Sequence, residues 1–173
     1  MQTRFLGYRT HCARRPNWDY TRGIFFITLV TGGRARVLSK IVHGRVVLTD
    51  AGAIVHQEWY RTVERRSHVS LDRFVVMPDH FQALIELKQD GATAGADQAS
   101  PGLQPESLAA IVGQFKAQCA SRIKEEALPD FAWAPGFHDV IVRNRRQLEN
   151  KRTYIQANPK EWARKTHEPT AHP

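Results

Sequence analysis

Residues 71–87 read LDRFVVMPDHFQALIEL, and this stretch decides the fold. An apolar run, Phe74-Val75-Val76-Met77, breaks at Pro78-Asp79 and resumes as Phe81-Gln82-Ala83-Leu84-Ile85. Proline cannot donate to a sheet ladder, so the junction marks two adjacent strands or one kinked strand. Side chains of a strand alternate between its two faces. His80, Gln82 and Leu84 therefore share one face, and Phe81, Ala83 and Ile85 share the other. A polar pair projecting from a rigid strand near its start is suited to hold a metal ion or a phosphate.

Upstream, residues 23–31 (GIFFITLVT) form an apolar strand candidate. Residues 37–42 and 45–48 flank His43-Gly44, a two-residue turn that predicts a short hairpin. Asp50 is the expected N-cap of a helix in which Ala51, Val55, Trp59 and Val63 recur at four-residue steps. Downstream, residues 88–106 are polar, rich in Gly, Ala and Pro, and aperiodic, which predicts a flexible loop. A helix from about Ser107 carries Leu108, Ile111, Val112, Phe115, Cys119 and Ile123 on one face, with Lys116, Arg122 and Lys124 outside that stripe. A short strand over 137–142 follows. Asn144 with Gln147 resembles a capping box opening a last helix from Arg145 to about Asn158, where Pro159 is expected to end it.

With the hairpin as an insertion, the order is βαββαβ plus a terminal helix. This predicts an α+β fold, a ferredoxin-like split βαβ with an antiparallel sheet and an extra C-terminal helix. The expected organisation is a basic arm over 1–22, one domain over 23–162 and a tail over 163–173. There is no internal repeat.

Charge narrows the partner. The chain has 25 Lys and Arg against 17 Asp and Glu, a formal net charge of +8. Residues 143–165 hold eight basic and two acidic side chains, and the first 22 residues hold five arginines and one aspartate. Basic ends around a milder centre favour a polyanion, nucleic acid before membrane, with ordinary solubilising charge as the alternative. No apolar run approaches the ~20 residues of a membrane span. The N-terminal sequence lacks the apolar core of a secretory signal. Cys12 and Cys119 form no CxxC, so a reduced, cytoplasmic setting is expected and a cysteine zinc site is not.

On the last helix Tyr154 and Asn158 lie four apart and share a face. The apolar seam runs through Leu148 and Ile155, and Tyr154 stands at its border beside Lys151 and Arg152. A phenol placed so, among cations, is suited to attack a phosphodiester. A boundary tyrosine that merely packs its ring is the alternative.

Together these pieces resemble the REP-associated tyrosine transposases, relatives of the single-tyrosine HUH transposases. The resemblance spans roughly residues 17–162. It lies in NWDYTRGIFFITLVTGGR, DAGAIVHQEW, LDRFVVMPDHFQALIEL, SLAAIVGQFKAQCASRI, WAPGFHDVIVRN and YIQANPKEW, in that order. The resemblance implies a nuclease domain in which a His-hydrophobe-His pair holds a divalent metal while a helix tyrosine attacks single-stranded DNA. A 5′-phosphotyrosine and a free 3′-hydroxyl result. His80 matches the first metal His, Tyr154 the nucleophile, and Asn158 a polar position that completes the metal shell. Mg²⁺ or Mn²⁺ is the implied ion.

The chain departs from the family where the second His is replaced by Gln82, a neutral oxygen donor. Many relatives also read FHDH where this chain has Phe137-His138-Asp139-Val140. The sequence alone does not say which way His138 and Asp139 point. Arg143, Arg145, Arg146, Lys151 and Arg152, with Lys116, are the expected phosphate contacts. Trp18, Tyr20, Trp133 and Trp162 are read first as packing residues, with stacking on unpaired bases as the alternative. The remaining histidines show no ligand spacing. Expected partners are single-stranded or hairpin DNA, with a monomer favoured over a homodimer. The competing reading is a binding protein of the same fold that has lost cleavage with its second metal His.

Overall fold

The computed structural model describes residues 18–88 and 106–167. Among these, the elements in order are β1 (Gly23–Val30), β2 (Ser39–Val42), β3 (Arg45–Leu48), α1 (Asp50–Glu64), β4 (Val69–Val76), β5 (His80–Leu87), α2 (Leu108–Glu126), β6 (His138–Val142) and α3 (Arg145–His167). Four strands form one sheet in the order β4-β5-β1-β6, with every neighbouring pair antiparallel. β2 and β3 pair as a separate hairpin. Two βαβ units, β1-α1-β4 and β5-α2-β6, thus interleave in one sheet, which is the expected ferredoxin-like arrangement. No helix among the described residues is long and apolar enough to cross a membrane.

Alternation along the strands builds two cores. Phe25, Ile27 and Leu29 of β1 and Phe81, Ala83 and Ile85 of β5 face α1 and α2, where Val55, Trp59, Ile111 and Phe115 are buried. The opposite face holds Phe26, Leu84 and Met77, and is closed by Ile155 of α3 with Leu148 and Trp162 packed beside it. Each large apolar side chain so buried contributes about 1.5–3 kcal/mol. The whole predicted stripe of α2 is buried.

The Pro78-Asp79 junction is a hairpin, with Met77 N–H donating to the His80 carbonyl at 2.8 Å. Leu38 N–H donates to the Pro78 carbonyl and Thr31 N–H to that of Asp79, each at 3.0 Å. The turn before His80 is therefore pinned from two sides.

Three local expectations change. Thr49, not Asp50, caps α1: its hydroxyl accepts from Gly52 N–H and lies 2.6 and 2.9 Å from the Val37 and Leu38 carbonyls, tying the helix to the hairpin. Asp50 is the first helical residue instead. At α3, Gln147 N–H donates to Asn144 Oδ1, but Gln147 Oε1 accepts from Arg143 N–H, one residue before the cap. Finally, α3 does not stop at Asn158 but runs through Pro159 to His167. Proline there forgoes one helical hydrogen bond; Pro159 is buried and Trp162 packs on the second core, which offsets the loss. Residues 163–167, expected in a tail, belong to this helix. The first 17 residues of the expected arm and residues 89–105 of the expected loop lie outside the described residues.

Candidate active site

The sheet register sets the site. His80 pairs with Val30 and Gln82 with Thr28 across β5 and β1, while Thr28 pairs with His138 of β6 on its other side. Gln82, Thr28 and His138 thus form one row across three strands, on the face covered by α3. A cavity of about 300 Å³ opens there, lined by His80, Gln82, His138, Lys151 and Tyr154, with Arg34 at its edge. His138, whose direction the sequence leaves open, belongs to this cavity. Asp139 lines a neighbouring cleft instead.

Asn158 reaches down from α3 between the strand residues. Its Nδ2 donates to Gln82 Oε1 at 2.7 Å and lies 3.5 Å from His80 Nε2. The three expected ligands therefore meet at one point. His80 Nδ1 lies 2.5 Å from Asp79 Oδ1. With that N–H given to the carboxylate, the Nε2 lone pair faces Asn158, which is how a second partner orients a ligating imidazole.

Asp79 is buried, and Arg34 Nη1 holds its other oxygen at 3.2 Å. Burial alone would raise its carboxyl, but the His80 hydrogen bond and charge and the Arg34 guanidinium outweigh burial and hold it below its ordinary value. Arg34 reaches Asp79 from a tight turn in which Gly33 and Arg34 both have positive φ, 59° and 56°. For arginine that backbone region is sparsely populated. Trp162 tilts against the His80 ring at 6.0 Å between centroids, with the Arg36 guanidinium 5.4 Å from the indole centroid. Continuation of α3 past Pro159 is what brings Trp162 here.

Tyr154 is 49% exposed, with its ring edge-on to Phe26 at 6.0 Å. Lys151 Nζ stands 4.4 Å from the Phe26 centroid and 5.9 Å from that of Tyr154. Lys151 and Arg143 also line a larger cleft of about 680 Å³ that begins at Tyr154 and follows β6 toward Tyr20. Arg145 and Arg146 are exposed on the first turn of α3. The structure engages two other expected phosphate contacts elsewhere. Arg152 is held by Asp72, at 2.6 Å from Nη2, and by Glu149 at 2.7 Å. Lys116 donates to the carbonyls of Ala134 and Gly136 at 2.8 and 2.6 Å, and its burial lowers its pKa.

The donor set fits a hard divalent cation. His80 Nε2 and Gln82 Oε1 both approach the Asn158 amide nitrogen, so two lone-pair donors face one another across it. Turning the Asn158 amide over, an assignment hydrogen-bonding decides, would present a third donor, its oxygen. No group of three or more His, Cys, Asp or Glu side chains able to hold a metal occurs among the described residues. The donors that meet here, one imidazole nitrogen and amide groups, are neutral.

Sequence reasoning passed over Asp79, Arg34 and Thr28. Asp79 adjoins His80 in the sequence, and that adjacency was the available signal. Arg34 and Thr28 carry none, because only the strand register and the turn at Gly32-Gly33 bring them in.

No protein-family model matches the chain. An uncharacterized protein of Haemophilus influenzae is 25% identical over 157 residues, covering 86% of this chain and 87% of its own. A REP-associated tyrosine transposase solved bound to a REP hairpin superposes with TM-score 0.59 and 17% identity, over 86% of this chain and 73% of that one. A further solved chain, from Deinococcus radiodurans, aligns at TM-score 0.43 and 16% identity, over 83% of this chain and 96% of its own, too distant to carry weight. The resemblance drawn from the motifs therefore holds for the architecture: this chain has the fold of the REP-associated tyrosine transposases.

Proposed function

We propose that the protein is a metal-dependent enzyme that nicks and joins single-stranded DNA at hairpin-forming repeats, with Tyr154 as nucleophile. The observation that carries this reading is the half-exposed Tyr154 lining a cavity together with His80, Gln82 and His138. The phenol of Tyr154 would give its proton to solvent as its oxygen attacks the phosphorus, the bond from phosphorus to the 3′-oxygen would break, and that oxygen would leave as a hydroxyl after taking a proton from solvent. A 5′-phosphotyrosine holds the bond energy for rejoining. Lys151 and Arg143 line the approach and offset charge that grows on the phosphate. His80, Gln82 and Asn158 would hold Mg²⁺ or Mn²⁺, which when bound polarises and orients the scissile phosphate. Because these donors are neutral, a DNA phosphate would supply the anionic ligand, and metal and strand are expected to bind together.

A second reading rests on Gln82 and its hydrogen bond to Asn158: a protein of the same fold that binds structured DNA or RNA and no longer cuts it. The test is a cleavage assay on labelled single-stranded hairpins from the host's own repeats, with Mn²⁺ or Mg²⁺, comparing wild type, Tyr154→Phe and Gln82→His. Product and a denaturant-resistant adduct from wild type, both lost in Tyr154→Phe, are the expected result. Activity in Gln82→His alone would establish the binding protein. Neither cutting nor binding by any of the three overturns both readings.

A further inference from the structure

Beside the Tyr154 cavity lies a second, smaller one. Its volume is about 190 Å³, and Thr31, Arg34, Ala134, Pro135, Phe137 and His138 line it. Arg34 and His138 belong to both cavities, and Lys151 and Tyr154 join the first to the long cleft along β6. The three openings therefore adjoin in series through shared lining residues, with Tyr154 lining two of them. We infer that this small cavity is a subsite for a single unpaired nucleobase close to the scissile phosphate, an inference that rests on the function proposed above.

Size, chemistry and rigidity support it. An apolar cavity of ~150 Å³ accommodates benzene, so this volume suits one planar heterocycle and excludes a paired stem. Ala134, Pro135 and Phe137 supply apolar walls, and the Arg34 guanidinium supplies a flat cation for a base face or edge. The walls are tied down before any ligand arrives. Gly32 N–H donates to the Ala132 carbonyl at 2.7 Å and Ala134 N–H to the Val30 carbonyl at 2.8 Å. Lys116 clamps the Ala134 and Gly136 carbonyls from α2, which gives that lysine a role in shaping the subsite. A preformed wall orders less on binding and so loses less affinity. Arg34 meanwhile connects the subsite to the neighbouring centre through its ion pair with Asp79, the partner of His80. The sparsely populated backbone of Arg34 is what aims the guanidinium at this junction.

The test is an abasic scan. Single-stranded oligonucleotides carrying a Tyr154 target hairpin, each lacking one base on either side of the cleavage position, are titrated against the full chain bearing Tyr154→Phe to prevent turnover. The same scan is run on the chain with Ala134→Leu added, which fills the cavity. Loss of affinity of about tenfold at one position, with that loss absent after Ala134→Leu, is the expected result. A flat scan with intact DNA binding, or a penalty unchanged by Ala134→Leu, overturns the subsite and leaves the proposed function standing. Failure of the Tyr154→Phe chain to bind any of these strands overturns the proposed function and the subsite with it. Should Ala134→Leu not fold, Arg34→Ala in the Tyr154→Phe chain replaces it: the single-position penalty is expected to shrink, and an unchanged penalty overturns the subsite.

Discussion

At the scale of single residues, the orientation of His80 decides what the centre can hold. Its Nδ1 is committed to Asp79, a buried carboxylate that Arg34 holds on its other side. That hydrogen bond holds the ring's orientation and keeps Nε2 aimed at Asn158. Asp79→Asn retains the shape and removes the charge. Mn²⁺ affinity of the chain in the presence of a bound oligonucleotide, followed by electron paramagnetic resonance, is expected to fall about 10–100-fold. Unchanged affinity would show that Asp79 serves the turn alone. Gln82 contributes differently: its oxygen reads Asn158 now, and a metal would have to replace that contact.

At the scale of elements, the docking of α1 is the most sharply defined feature. A Cβ on Gly52 would lie 1.8 Å from the Leu38 carbonyl oxygen, a distance no side chain can occupy. The first turn of α1 and the bend at Leu38, just before β2, therefore touch backbone to backbone. Gly52→Ala is expected to destabilise the fold by about 1–3 kcal/mol or more, the range for overpacking a tight interior, read as a lowered midpoint in urea. An unchanged midpoint would mean that α1 pivots freely on the hairpin. The same reasoning explains α3. Leu148, Ile155 and Trp162 recur at seven-residue steps along one face, and that seam holds the helix together across Pro159.

At the scale of the whole molecule, the net charge of +8 is not all available to a polyanion. Arg152 is engaged by Asp72 and Glu149, and Arg122 by Glu58 and Glu126. Arg143 and Lys151 line the Tyr154 cleft, and Arg145 and Arg146 are exposed on the first turn of α3. Four phosphate contacts on a single strand give a salt slope of about −3, hence a roughly 50-fold loss of affinity between ~50 and ~200 mM salt. Fluorescence anisotropy with a labelled oligonucleotide measures this directly. A slope shallower than about −1 would place the strand away from α3.

The order of strands and helices, the faces of β5 and α2, and the placing of Tyr154 and Asn158 four residues apart on one helix are legible in the sequence, because periods of two and 3.6 residues are local properties of the backbone. Motif order added the resemblance that the fold bears out. Local period says which face a side chain takes, but not what lies across from it. The turn of His138 into the cavity depends on the register of β6 against β1. The passage of α3 through Pro159 depends on a core that rewards burying Trp162. The fates of Arg152 and Lys116 depend on an aspartate 80 residues away and on carbonyls 18 and 20 residues away. Only the tertiary structure decides such contacts, since each joins segments that the chain's own periodicity leaves independent.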